Sequence, residues 1–264
     1  MDIKKIIFFL SFLLIGSAWA EQIANKNYDT KLFGKNQNLP TVAIITTGGT
    51  IAQKVDDKGK VVPSLSGDEL IAAVPSILKI ANIKLVPFSN IDSSQMSPAR
   101  WLELSKVVNE ILNDKKNKID GVVVTHGTDT MSEGVYFLDL VLGSNKPVVF
   151  TGSGRDASDI SADGPSNLYN AVLTASSRSM QDCGAVVAFN QYINFAFDIR
   201  KIHTTHTQTF GSGENGPLGS IEKDKITKNR TCDRRDRPQF IPSNTLPEVA
   251  LIKIVAGDDG HFIR

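Results

Sequence analysis

Short apolar, β-branched runs alternate along the chain with segments whose apolar residues recur three and four positions apart. The runs are 41–46 (TVAIIT), 83–88, 121–124 (GVVV), 147–151 (PVVFT) and 184–190 (GAVVAFN). Such lengths suit strands buried on both faces of a parallel sheet. A short helix is predicted over 68–74, ended by Pro75, and a longer one from Ser97-Pro98 through Trp101, Leu104, Val108 and Ile111. Ser is a favoured cap and Pro a favoured first residue, and the Trp101 stripe reads as core. A third helix runs over 131–142 through Val135, Leu138 and Leu142, with Gly143 at its stop; a fourth follows Gly164-Pro165 through Leu168, Ala171, Val172 and Ala175. Strands alternating with helices predict an α/β fold, a three-layer sandwich around a mostly parallel sheet.

The remaining segments divide the chain. Lys4 and Lys5, an apolar run over 6–15 and Ala18-Trp19-Ala20 read as a cleavable secretory leader over 1–20. The run is shorter than the roughly 20 residues of a membrane span, so export to the periplasm is expected, with no membrane segment in the mature chain. Residues 21–40 are polar and read as an irregular lead-in. Residues 53–66 hold Asp56, Asp57, Lys58, Gly59 and Lys60 and read as a long mobile loop. Near the far end, Arg230, Arg234, Arg235 and Arg237 alternate with Asp233 and Asp236, with Pro238, Pro242 and Pro247 close by. Such a run reads as a solvated linker over 230–247. The catalytic α/β domain is then 21–229, and 248–264 opens with another strand, 249–255 (VALIKIV).

Composition narrows the partners. With 41% hydrophobic and 22% charged residues the chain is that of a globular protein, and a net charge of +1 gives no basic surplus for nucleic acid. Cys183 and Cys232 are too few for a disulfide scaffold and do not read as metal ligands. An exported chain can pair them, and their spacing leaves the matter open.

Three strand-to-helix turns carry chemistry: Thr50 after the first strand, Ser93-Ser94 after the second, and Thr128-Asp129 after the third. In an open parallel sheet such turns share the carboxyl edge, where ligands bind. The plain alternative for Thr128 and Asp129 is helix capping. The Gly48-Gly49 turn lacks both the G-x-G-x-x-G spacing and a Walker lysine, so no nucleotide cofactor is expected. Gly152-Ser153-Gly154 is not a hydrolase elbow. Asp198, His203 and His206 raise a metal site, but no H-E-x-x-H supports one, and no metal is expected. Two threonines, an aspartate and a lysine suit another chemistry. An alcohol becomes a nucleophile beside a base, a lysine shielded from water can serve as that base, and a carboxylate holds an ammonium. That set fits acyl transfer on an amino-acid amide.

The residues Thr46-Thr47-Gly48-Gly49-Thr50-Ile51-Ala52 and THGTDTMSE over 125–133 resemble the two signature motifs of bacterial L-asparaginases. Ser161-Ala162-Asp163-Gly164-Pro165, Asn167-Leu168-Tyr169-Asn170-Ala171 and Gly216-Pro217-Leu218-Gly219 are further matches, and with the leader they point to the periplasmic, type II branch. The resemblance implies hydrolysis of L-asparagine to aspartate and ammonia, with side activity on L-glutamine. It implies Thr50 as nucleophile, Thr128 and Lys201 as the relay that takes its proton, Asp129 as holder of the substrate ammonium, and Ser93 with Ser94 at its carboxylate. The family's loop tyrosine has no counterpart in 53–66, where Lys60 falls near its place, and Ser94 stands where the periplasmic branch often has Gln or Glu. The family also has a second, smaller α/β domain and forms homotetramers. Only that domain's first strand is matched here, so a truncated chain with an incomplete site is expected. The competing expectation is a periplasmic amino-acid-binding protein without catalysis.

Overall fold

The computed structural model describes residue 28 and residues 30–63, 65–116, 118–232 and 240–261. The leader expected over 1–20 lies outside them, as does the charged stretch 233–239 of the expected linker. The chain opens with β1 (Lys31–Phe33), β2 (Thr41–Gly48), a 3-10 turn (Thr50–Ala52), β3 (Gln53–Val55) and β4 (Val61–Pro63). Then come α1 (Gly67–Ala72), β5 (Asn82–Ile91), a 3-10 turn (Ser93–Gln95), α2 (Pro98–Asn113), β6 (Gly121–Thr125) and α3 (Met131–Val141). β7 (Val148–Thr151), α4 (Gly164–Ser176), β8 (Ala185–Phe189) and β9 (Tyr192–Phe195) follow, then β10 (Ile199–Lys201), β11 (Phe210–Ser212), β12 (Gly219–Glu222) and β13 (Lys225–Lys228).

Nine strands form one sheet in the order β1-β5-β2-β6-β7-β8-β9-β12-β13. The centre, β5 to β8, is parallel, and the flanking pairs are antiparallel. Side chains alternate across the sheet, so each central strand feeds two cores. Val42, Ile44, Val123, Val149 and Val186 face α1 and α4 through Leu70, Ile71, Leu168, Ala171 and Val172. Ala43, Ile45, Val122, Val124, Phe150 and Val187 face α2 and α3 through Leu104, Val108, Val135 and Leu138. The result is the expected three-layer α/β sandwich. α1 begins with a reciprocal cap between Ser66 and Glu69, and Ser97 caps α2 ahead of Pro98.

β5 and β6 lie on opposite sides of β2. The chain therefore changes direction across the sheet at β2, and a crevice opens at the carboxyl ends of these three strands, the place where open α/β sheets bind ligands.

Several expectations are corrected. The lead-in 21–40 contains β1, which pairs antiparallel with β5. The loop 53–66 is largely a hairpin, β3 with β4, turned by Asp56 to Gly59 and closed by the bond from Asp56 N–H to Lys60 O. The strand expected over 249–255 does not form: Leu251 is 98% exposed, and a strand without a partner leaves its backbone groups to water. Arg230 is not a solvated linker residue. Its guanidinium bonds Asp198 and the Gly216 carbonyl and lies over the ring of Phe195. Cys232 is disulfide-bonded to buried Cys183, so the folded body runs at least to 232.

Candidate active site

The three strand ends are locked to one another by backbone and hydroxyl hydrogen bonds. Gly49 N–H donates to Ile91 O, Thr47 Oγ1 donates to Thr125 O, and Ser89 Oγ donates to Thr47 O. Gly49 has φ 82° and ψ −178°, a conformation essentially confined to glycine. A Cβ there would stand 2.4 Å from Gly127 Cα and N, so the turn bearing Thr50 rests directly on the turn bearing Thr128. Gly127 is pressed in its turn on Ser93, whose Oγ would lie 2.5 Å from a Cβ at 127.

This packing brings the predicted polar groups to one place. Lys201 Nζ donates to Thr128 Oγ1 at 2.8 Å and to Asp129 Oδ1 at 2.6 Å. Lys201 is 19% exposed and Asp129 57%, so the ion pair is shielded on the lysine side and open on the carboxylate side. Ser93 is buried; its Oγ accepts from Asp129 N–H at 3.2 Å and its carbonyl from Thr130 Oγ1 at 2.8 Å. Thr128 and Asp129 are therefore not helix caps: Thr130 occupies that position in α3, and it makes no side-chain cap. Thr50 lies beside this cluster through Gly49 but is not a member of its hydrogen-bond set. Ser94 is exposed, and its N–H donates to Asp92 Oδ1.

Four residues at the site had been given no part in it. Asp92 is one: the Ser94 N–H holds its carboxyl below the usual carboxylate range, with Gln53 and the Lys201 charge adding to the effect against burial. Gln53 thus ties the hairpin β3–β4 to the Ser93 turn. Trp101, read as core, reaches His126 with its indole nitrogen. His126 is wholly buried, and burial pulls its imidazole down to about 4, the hydrogen bond to Gly127 opposing. None of the four stands out from a local pattern: Gln53 meets Asp92, and Trp101 meets His126, only across long stretches of sequence, while the bonds of Asp92 to Ser94 and of His126 to Gly127 depend on how their own turns fold. A fifth, Asp163, carries the Ser-Ala-Asp-Gly-Pro match. It accepts from Ser153 Oγ, from the Gly154 and Arg155 N–H groups and from Asn167 Nδ2, and so fixes the turn after β7.

Asp198, His203 and His206 do not converge. Asp198 is engaged by Arg230 and by Gly213 N–H. Nδ1 of His203 accepts from His206 N–H, and Nδ1 of His206 from Gln208 N–H, so both rings serve their own loop.

A hydroxyl, an amine and a carboxylate thus lie within hydrogen-bond reach at the switch point of an α/β sheet, beside a second threonine. The family described as Asparaginase, N-terminal, matches residues 41–234. L-asparaginase 2 of Escherichia coli (strain K12) is 41% identical over 221 residues, which cover 81% of this chain and 62% of that one. The probable periplasmic L-asparaginase of Haemophilus influenzae is 40% identical over 222 residues, again 81% of this chain and 62% of the relative. A probable cytoplasmic L-asparaginase of Campylobacter jejuni, known from a crystal structure, superposes with a TM-score of 0.77 at 36% identity, covering 85% of this chain and 70% of that one. The chain belongs to the asparaginase family, and it spans about three fifths of the length of these two curated relatives.

Proposed function

We propose that this chain carries the catalytic residues of an L-asparaginase that hydrolyses the side-chain amide of L-asparagine to L-aspartate and ammonia. The observation that carries the proposal is Lys201 Nζ at 2.8 Å from Thr128 Oγ1 and 2.6 Å from Asp129 Oδ1. Thr50 Oγ attacks the amide carbon, and its proton passes through Thr128 to the neutral amine form of Lys201. The amide nitrogen takes that proton back from Lys201 through Thr128 and leaves as ammonia; the aspartyl ester on Thr50 remains, and water hydrolyses it, its hydroxyl going to the acyl carbon and its other proton to Thr50 Oγ. The substrate ammonium binds at the open side of Asp129. There it competes with Lys201 for the carboxylate and leaves the lysine to Thr128. Ser93 turns its hydroxyl to the substrate carboxylate, with Ser94 at the rim. L-glutamine enters as the poorer substrate. Assembly as a homotetramer and export to the periplasm belong to the same reading; the Lys4-Lys5 leader and the Cys183–Cys232 disulfide support export, since disulfides persist in oxidising compartments.

The test is ammonia release from asparagine and from glutamine by the full chain, by T50A and by K201M. Removing a nucleophile or its base costs on the order of 10²–10⁴ in rate. Both variants are expected to lose activity on that scale, with asparagine the better substrate for the wild type. Unchanged turnover in both would remove the mechanism. Tight asparagine binding without ammonia from the wild type would identify a binding protein instead.

A further inference from the structure

Lys201 stands on the ribbon of β10 and β11, which is paired with no other strand. Successive side chains of a strand alternate, so Ile199 and Lys201 share one face of β10 and Arg200 takes the other. Ile199 turns into the core with Phe210 of β11, and at the loop end Ile202 N–H bonds Thr209 O. The opposite end, where β10 begins and β11 stops, is closed by a side chain. Asp198 precedes β10 by one residue, and its Oδ1 accepts from the N–H of Gly213, one residue after β11, at 3.1 Å.

The second oxygen of that carboxylate belongs to Arg230. Arg230 Nη1 donates to Asp198 Oδ2 at 3.0 Å and to Gly216 O at 3.0 Å. Its guanidinium carbon lies 4.8 Å from the ring centre of Phe195 and 5.8 Å from that of Phe197, two rings stacked on each other just ahead of Asp198. One planar cation therefore holds both the turn that enters β10 and the segment that leaves β11. Arg230 is 24% exposed and Asp198 14%, so water and salt screen this pair less than one on the open surface. Arg230 is itself anchored. Its N–H donates to the carbonyl of buried Leu218, and two residues on, Cys232 is bonded to Cys183 inside the core. The ion pair runs from a cross-linked anchor to the root of β10, three residues before the lysine.

We infer that Arg230 is a positioning residue for Lys201: through Asp198 it keeps the ribbon where Lys201 Nζ meets Thr128 Oγ1. The inference rests on the amidohydrolase reading. Ser93 and Asp129, the groups proposed to bind the substrate, stand on turns after β5 and β6 of the main sheet, whereas Lys201 stands on the ribbon. Loosening the ribbon removes the base and leaves the binding groups in place. A displacement of about 1 Å at a catalytic group costs about 10²-fold in rate. Arg230 touches no substrate and moves no proton.

Three variants separate positioning from general stability. R230M keeps an unbranched side chain but removes the charge and the donors; R230K restores a charge with donors enough for Asp198 and Gly216. At a temperature where all are folded, R230M is expected to lower kcat for asparagine about 10–100-fold with KM changed less than about threefold, and R230K to recover most of the loss. V172A, which opens a cavity against the other face of the sheet, is expected to lower the urea midpoint with kcat unchanged. If R230M does not fold, D198N takes its place with the same expectation, since it keeps an acceptor for Gly213 and gives up the charge. A kcat in R230M no lower than in V172A would overturn the inference, as would a rise in KM with kcat unchanged. If the wild type releases no ammonia, the amidohydrolase reading fails separately, and amide hydrogen exchange decides. Exchange of the Ile202 N–H sped by R230M about tenfold or more beyond that of Val123 in β6 supports the positioning role; equal acceleration at the two refutes it.

Discussion

Burial of His126 makes the stability of this protein depend on pH in a window where few other groups act. The imidazole is held at about 4 in the folded chain and returns to about 6.5 when the chain unfolds. Between those values the unfolded chain binds a proton that the native one refuses, so stability falls as the pH falls. The loss begins near 6.5 and is complete near 4. A gap of about 2.5 corresponds to about 3 kcal/mol at about 1.4 kcal/mol per pH unit, and most of it is gone by about pH 4.5. Carboxylates held below their ordinary range, such as Asp92 and Asp159, have the same sign but act lower, as the pH falls through and below the unfolded value of about 3.9. Against a typical total of about 5–15 kcal/mol, the His126 effect is large. Urea unfolding of the wild type and H126N at steps from pH 7.5 to 4.5 measures it. The wild type is expected to lose about 3 kcal/mol more than the variant across that range. Parallel curves for the two proteins would show that His126 is not the group responsible.

Gly49→Ala forces a Cβ to 2.4 Å from Gly127 at φ 82°. Backbone strain and overpacking each cost about 1–3 kcal/mol, so a loss of about 2–5 kcal/mol is expected in chemical denaturation. Reducing the Cys183–Cys232 bond, which joins positions 49 residues apart, is expected to cost about 4 kcal/mol by loop entropy, read as a lower urea midpoint with reductant present.

Legibility from the sequence followed the physics of each element. β2, β6, β7 and β8 are buried on both faces, so their apolar runs announce them. β12 and β13 (GSIE and KITK) are mixed, and their turn, Lys223-Asp224, takes positive φ without a glycine to advertise it. The turn Asn190-Gln191 between β8 and β9 hides in the same way. In 249–255 the composition suits a strand, but a strand is a property of a pair, and no described residue supplies the second member. At the site, hydroxyls and carboxylates on strand-end turns could be read directly. Lys201 could not: neighbouring Arg200 is equally basic, and only the motif resemblance chose between them. Trp101 fits a helical core stripe so well that nothing in its spacing reveals the indole bond to His126.

Lys201 is not on the main sheet. It ends β10, which pairs with β11 alone, in a ribbon of two three-residue strands. Beyond it the exposed loop of His203 and His206 joins the two strands, and Ile202 N–H bonds Thr209 O to close the ribbon. Ile199 and Phe210 anchor the ribbon in the core, but its exposed loop and the outward end at Lys201 are expected to open at a lower free energy than the nine-stranded sheet behind it. For the chemistry proposed here, the working temperature of the protein is therefore governed by the ribbon and not by the core. Heat is expected to detach Lys201 from Thr128 while the sheet is still folded, so the proposed activity is expected to fail reversibly and early, and stabilising the core alone to leave that ceiling where it is.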